Sequence, residues 1–308
     1  MQVAVTLAAV ALSAGAFAQT RTVAITVDDL PYAGSMPSEA GTVNRALLDA
    51  FQRHHVPVTG FVIQQRSESL GPNTGAKILK EWIAGGLELG NHSYSHPDFN
   101  DRSVAEIEEN IVRGESVIRS LMQGAHKQLE FFRFPFNHTG DTKEKRDEIA
   151  AFLEQRGYRL ATCTIDTSDY MFNDAYLKML AGHDAASAEK LRAEYLAYTR
   201  TEIDYYAVLN KQVLGYEPPE VMLLHDNRLN ADTIDQILRI FEEKQYKFVS
   251  LDAAQSDAAY RIPELSIKFG WMWGYRWAQV RNVKVNGSLE TEPPQWILDY
   301  GKAAKQTP

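Results

Sequence analysis

Two histidines four residues apart, His92 and His96, follow directly on the run Leu87–Leu89, and the acid pair Asp28-Asp29 ends the apolar run Val23-Ala24-Ile25-Thr26-Val27. One carboxylate and two neutral imidazoles make a three-ligand set with coordination positions left open, as hydrolytic metal catalysis requires. A lone H-x-x-x-H motif is weak, since loop histidines bonded to solvent are the commoner outcome. Weight comes from charged residues closing other β-like runs. Arg133-Phe134-Pro135-Phe136 ends one, Asp166-Thr167-Ser168-Asp169-Tyr170 a second and His225-Asp226 a third. In parallel α/β barrels the chemistry gathers at the C-terminal strand ends. Solubility alone does not explain five strands ending in acids, histidines or an arginine.

These residues need a scaffold, and the chain supplies its pattern. From Arg21 onward, short apolar runs alternate with helical periodicity, the signature of a parallel α/β fold. Seven strands are expected: Val23–Val27, Val58–Ile63, Leu87–His92, Phe131–Phe136, Tyr158–Ile165, Val221–Leu224 and Phe248–Leu251. Helices are expected over Ala40–His54, Gly75–Ala84, Thr142–Arg156 and Ala231–Glu243. One long helix should run from a Ser103 cap to about Leu121, with Glu106 completing a capping box. The fold class is therefore α/β, a distorted (β/α) barrel of about seven parallel strands. A helical insertion, residues 171–219, lies between the fifth and sixth strands.

Composition bounds the function. A chain of 308 residues can bury a large core, and 44% apolar with 23% charged residues is ordinary for a soluble globular protein. A net charge of −8 with no basic stripe argues against nucleic acid as a partner. The one cysteine, Cys163, lies in an apolar run and reads as a small buried hydrophobe. Residues 1–18 carry no charge and end in Ala16-Phe17-Ala18, a signal-peptide pattern too short to span a membrane, although the usual positive start is missing. Export to the periplasm or outside the cell is expected, with no membrane span afterwards. Residues 19–255 should form the barrel and residues 256–308 an aromatic-rich extension. The cluster Trp271-Met272-Trp273-Gly274-Tyr275-Arg276-Trp277 should chiefly pack that extension on the barrel, with sugar stacking as the second reading.

The strand-end residues resemble the polysaccharide deacetylases of carbohydrate esterase family 4, the NodB-homology fold. That family carries five ordered motifs, approximately T-F-D-D-G, H-[ST]-x-x-H, R-x-P-[YF], D-x-x-D-W and L-x-H. Here they stand as Thr26-Val27-Asp28-Asp29-Leu30, His92-Ser93-Tyr94-Ser95-His96, Arg133-Phe134-Pro135-Phe136, Asp166-Thr167-Ser168-Asp169-Tyr170 and Leu223-Leu224-His225. They span roughly residues 21–255.

The resemblance implies metal-dependent removal of acetyl groups from N- or O-acetylated carbohydrate. Asp29, His92 and His96 would hold a divalent ion, zinc first, though cobalt, nickel or iron would accept the same set. Asp28 would be the base that takes a proton from water, and Arg133 would keep it charged and aimed. His225 would be the acid, oriented by Asp169. Phe136, Tyr170 and Leu223 would wall the acetyl methyl, with the Phe136 backbone N–H assisting the oxyanion. Leu30 in place of glycine should narrow the groove, and Tyr170 replaces a tryptophan. The partner would be an acetylated glycan or oligosaccharide. A metal-dependent amidase on a small non-sugar amide, and a non-catalytic carbohydrate-binding barrel, are the alternatives.

Overall fold

The computed structural model describes residues 20–302, apart from Pro72 and Ser266, so residues 1–18 with their signal-peptide reading lie outside the described residues. The first half runs β1 (Thr22–Leu30), α1 (Ala40–Arg53), β2 (Val58–Val62), α2 (Gln64–Ser69), α3 (Thr74–Ala84) and β3 (Glu88–Asn91). Then come α4 (Val104–Gly114), α5 (Ser116–Gly124), β4 (Phe131–Phe132), α6 (Lys143–Gln155) and β5 (Arg159–Leu160). The insertion is α7 (Asp169–Ala181) and α8 (Ala185–Leu214). The chain closes with β6 (Glu220–His225), α9 (Arg228–Glu243), β7 (Lys247–Phe248), α10 (Leu251–Gln255), α11 (Trp273–Val280) and α12 (Gln295–Lys302).

The strands form one parallel sheet in the order β5-β4-β3-β2-β1-β6, with β7 also on β1. Burial on both faces explains why β1 reads as a continuous apolar run: only Thr22 is partly exposed. Beyond β5 the chain crosses to β6, where Ile165 bridges Met222 and closes the curl. No helix among the described residues is long and apolar enough to cross a membrane.

Several expected elements come out differently: strand four keeps only Phe131–Phe132 and strand seven is Lys247–Phe248, with α10 starting at Leu251. Strand five keeps only Arg159–Leu160, because the chain peels from β4 to reach β6. Side chains satisfy the peeled backbone instead: Arg133 donates to the carbonyls of Ala161 (3.4 Å) and Thr162 (3.1 Å), and Gln255 accepts from the Thr162 N–H at 2.8 Å. The long helix after Ser103 starts with its capping box but divides at Glu115 into α4 and α5. There the Glu115 carboxylate takes hydrogen bonds from Tyr158 and Arg119. Helix α7 begins at Asp169, so Asp169 and Tyr170 project from a first helical turn and not from a strand end.

Candidate active site

The two acids of β1 are separated by a bulge. Pairing with β2 slips between Val27 and Leu30, and Asp29 sits in the left-handed region at φ 68°. Asp28 turns to Arg133, whose Nη1 donates to Asp28 Oδ1 at 2.8 Å and to Thr26 Oγ1 at 2.7 Å. This guanidinium is fully buried and lies over the Phe61 ring at 4.3 Å. Leu30 does not narrow the groove. Its side chain points into the core, packed so closely on Gly60 that a Cβ there would meet Leu30 Cδ2 at 2.6 Å.

The histidine pair sits on a braced turn. Asn91, at the end of β3, accepts the Ser93 N–H at 2.8 Å and donates to Ile111 O and the Tyr158 hydroxyl. Ser93 (φ 73°) and His96 (φ 58°) both take left-handed conformations, and Ser93 Oγ accepts the His96 N–H at 3.0 Å. Gly114 at the end of α4 presses on this turn, where a Cβ would lie 2.6 Å from the Ser93 carbonyl carbon. His92 Nδ1 donates to Arg133 O at 2.8 Å, since a carbonyl only accepts, which leaves the Nε2 lone pair free.

That lone pair meets Asp29. His92 Nε2 and His96 Nε2 stand 3.7 and 3.6 Å from Asp29 Oδ1, and one ligand atom from each of the three residues lies within 4.8 Å of the others. Asp29 Oδ1 is buried and has no hydrogen-bond partner, while Oδ2 accepts from Arg66 at 3.2 Å. A buried carboxylate oxygen without a donor is costly, and a cation between it and the imidazoles would satisfy it. Burial, then the neighbouring His92, pushes His96 down to about 4, so its ring is neutral at pH 7 as ligation requires. Burial alone would raise Asp29, but His225, Arg66 and the histidine pair hold it below the usual carboxylate range. The residues fit a divalent ion with two imidazoles and a carboxylate.

Opposite lies a pair with no open position. His225 Nδ1 is 2.6 Å from Asp169 Oδ1, while Asp169 Oδ2 accepts from the His225 N–H at 2.8 Å, from Asn227 at 3.2 Å and from Asn230. Burial disfavours a charged imidazole, yet the Asp169 carboxylate outweighs it and carries His225 up to about 10. Asp169 in turn is held below its ordinary value by His225, against its own burial. Asp226 serves the turn: its N–H donates to Asp28 O and its carbonyl accepts from the Ala33 N–H.

A cleft of ≈ 590 Å³ collects these groups. Asp28, Asp29, His92, His96, Phe136, Tyr170, Leu223 and His225 line it. Arg133 and Asp169 stand behind the wall, each holding one residue that lines it. The exposed rings of Phe136 and Tyr170 face His96 (4.6 Å) and His225 (6.0 Å) respectively. Arg66 also lines the cleft and has no place among the sequence motifs, although it lies in the first turn of α2, four residues after β2. The strand-end rule, applied to that strand as well, would have found it.

Arg276, in the C-terminal segment, was equally unforeseen. It is fully buried and donates to Asn137 O, to Thr139 Oγ1 (3.0 Å) and to Glu264 (2.8 Å), clamping the loop that carries Phe136. Phe136 and Asn137 are both left-handed, and the Gly270 backbone abuts Phe136 O so closely that a Cβ would sit 1.9 Å away. The aromatic tail therefore divides: Trp273 and Trp277 are buried, whereas Phe269 and Trp271 are exposed.

This curled parallel sheet, with its cleft at the C-terminal strand ends, is a distorted (β/α) barrel, a fold shared with solved carbohydrate esterase family 4 proteins. The family model described as polysaccharide deacetylase matches residues 17–161, the first part of the chain, which is thus similar to that family. It is similar to the peptidoglycan-N-acetylglucosamine deacetylase PgdA of Listeria monocytogenes, 22% identical over 236 residues, which cover 75% of this chain and 38% of that protein. It is also similar to a chitooligosaccharide deacetylase of a Bradyrhizobium species, 30% identical over 101 residues, 33% of this chain and 40% of that one. The chain thus spans well under half the length of either relative. Among solved structures, a carbohydrate esterase family 4 pseudoenzyme from Bacillus anthracis superposes with a TM-score of 0.52 at 16% identity, covering 77% of this chain and 66% of that one. At that identity the likeness speaks to the fold alone.

Proposed function

We propose that this chain is a metal-dependent hydrolase that removes acetyl groups from N-acetylated or O-acetylated carbohydrate. The observation that carries the reading is the unpartnered Asp29 Oδ1 between two imidazole Nε2 atoms, with Asp28 and His225 facing the same cleft. A divalent ion held by Asp29, His92 and His96, zinc first, would acidify a water and polarise the acyl carbonyl. Asp28 is the general base. Its Oδ1 is fixed by Arg133, and its Oδ2, 3.7 Å from His92 Nε2, faces the ligand cluster and receives the proton. His225 is the general acid, because Asp169 on Nδ1 leaves the protonated Nε2 to donate to the departing amine or alkoxide. The Phe136 backbone N–H assists the oxyanion, and Phe136, Tyr170 and Leu223 form the apolar wall at the acetyl methyl.

The names of the two curated relatives, one acting on peptidoglycan and one on chitooligosaccharide, support an N-acetylhexosamine substrate. Export through residues 1–18 fits such an extracytoplasmic glycan. The full set of ligands, base and acid weighs against a non-catalytic barrel. The test is acetate release from a panel of acetylated glycans and small amides by metal-free protein, with zinc and cobalt restored in turn. Acetate from the glycans only after metal is restored is expected. Activity in metal-free protein would sink the reading, and activity on the small amides alone would favour the amidase.

A further inference from the structure

We propose that Trp271 and the cavity on its outer side form a second carbohydrate subsite, which takes a sugar ring of the same glycan whose acylated residue lies in the catalytic cleft. The inference rests on the deacetylase reading and deepens it, because it makes the substrate an oligomer.

Residues 270–272 form a ridge between two cavities. Gly270 and Met272 line the catalytic cleft, while Trp271 lines a separate hollow of ≈ 650 Å³. Such a volume is in the usual range for ligand sites. Packing accounts for Trp273 and Trp277, which are 3% and 2% exposed, but not for Trp271, which is 40% exposed beside Phe269 at 57%. The Phe269 and Trp271 rings lie nearly parallel, 5.6 Å apart and 16° off. Among the described residues, the large exposed apolar side chains include four aromatic rings: Phe136, Tyr170, Phe269 and Trp271. Phe136 and Tyr170 line the cleft, while Trp271 stands on the ridge with Phe269 stacked against it.

The hollow has the composition a sugar needs. Tyr275 is held by its hydroxyl, which donates to Glu290 at 2.6 Å, so its ring is a fixed wall. Gln279, Asn282 and Lys284 supply polar groups around the apolar faces of Trp271 and Tyr275. Flat rings match the C–H faces of a pyranose, and the polar groups match its hydroxyls. Trp271 is flanked in sequence by two residues that line the cleft, which sets its hollow beside the acyl site and favours one glycan over a protein partner.

The test compares wild type with Trp271→Ala, and with Asn282→Ala as a second variant, on β-1,4-linked N-acetylglucosamine dimer and hexamer. Trp271→Ala should lower kcat/KM for acetate release from the hexamer about three- to tenfold and leave the dimer unchanged. An equal loss on both, or no loss on either, overturns the subsite. Should the wild type release acetate from neither, these oligomers are not turned over, the deacetylase reading passes to the wider glycan panel, and calorimetric titration with the hexamer decides the subsite alone. Binding that weakens in Trp271→Ala then sustains it, whereas no binding, or equal binding, overturns it.

Discussion

Asp29, which lines the cleft, and Asp169, which stands behind its wall, are both buried and are furnished in opposite ways. Asp169 has every oxygen engaged, by His225, Asn227 and Asn230. Asp29 has one oxygen on Arg66 and the other on nothing, 3.6–3.7 Å from two imidazole nitrogens. Both carboxylates are kept ionised against burial, but for different ends. A fully bonded carboxylate can only steady the proton of its histidine. A half-bonded one has coordination capacity to spare, and that is where a cation belongs.

The largest effect should follow from removing the open side. Asp29→Ala should lose both turnover and zinc binding, read by calorimetry and by acetate release. Zinc at a hundred times its dissociation constant should stabilise the wild type by about 2.7 kcal/mol, and Asp29→Ala should show no such gain in thermal unfolding. Zinc binding equal to wild type in that variant would end the contrast between the two carboxylates.

Asp28→Asn should come next, costing about 10²–10⁴ in kcat while zinc still binds. Normal turnover would refute the base assignment. On the closed side, Asp169→Asn should spare zinc affinity and lower kcat, and it should shift the alkaline limb of the pH profile. His225 stands near 10, so the acid is protonated up to that region and its function fades as pH rises through it. Without the carboxylate the limb should move toward the ordinary histidine value of 6.5. The same pairing also stabilises the fold, fully below about 6.5 and no longer once pH passes about 10. An unmoved limb would detach Asp169 from the chemistry.

The smallest effect should come from outside the cleft. Gly114→Ala pushes a Cβ against the Ser93 backbone and should destabilise by about 1–3 kcal/mol. Zinc affinity should weaken with it, and a variant with wild-type stability and affinity would show that the turn yields.

Much of this was legible because the period of the chain was. Alternating apolar runs gave the parallel sheet, and the polar residues closing those runs gave the cleft. What stayed hidden was non-local. Nothing in Arg276 or Asn230 announces a contact 139 residues upstream or with a carboxylate on another helix. The left-handed φ of Asp29 arises at a bulge that only pairing with β2 creates. Leu30 misled because a motif position cannot tell which face of a bulged strand its side chain takes. In sequence the tail is one aromatic cluster, yet helix α11 buries Trp273 and Trp277 and leaves Trp271 just ahead of it exposed.

Arg133 reaches the carbonyls of Ala161 and Thr162, where strand five leaves its neighbour, with the same guanidinium that aims Asp28. Losing the base or the acid should therefore leave an intact, inert shell able to drift toward other uses, whereas losing Arg133 should bring down the wall along with the reaction. Inactive descendants of this chain would be expected to keep that arginine long after its catalytic partner has gone.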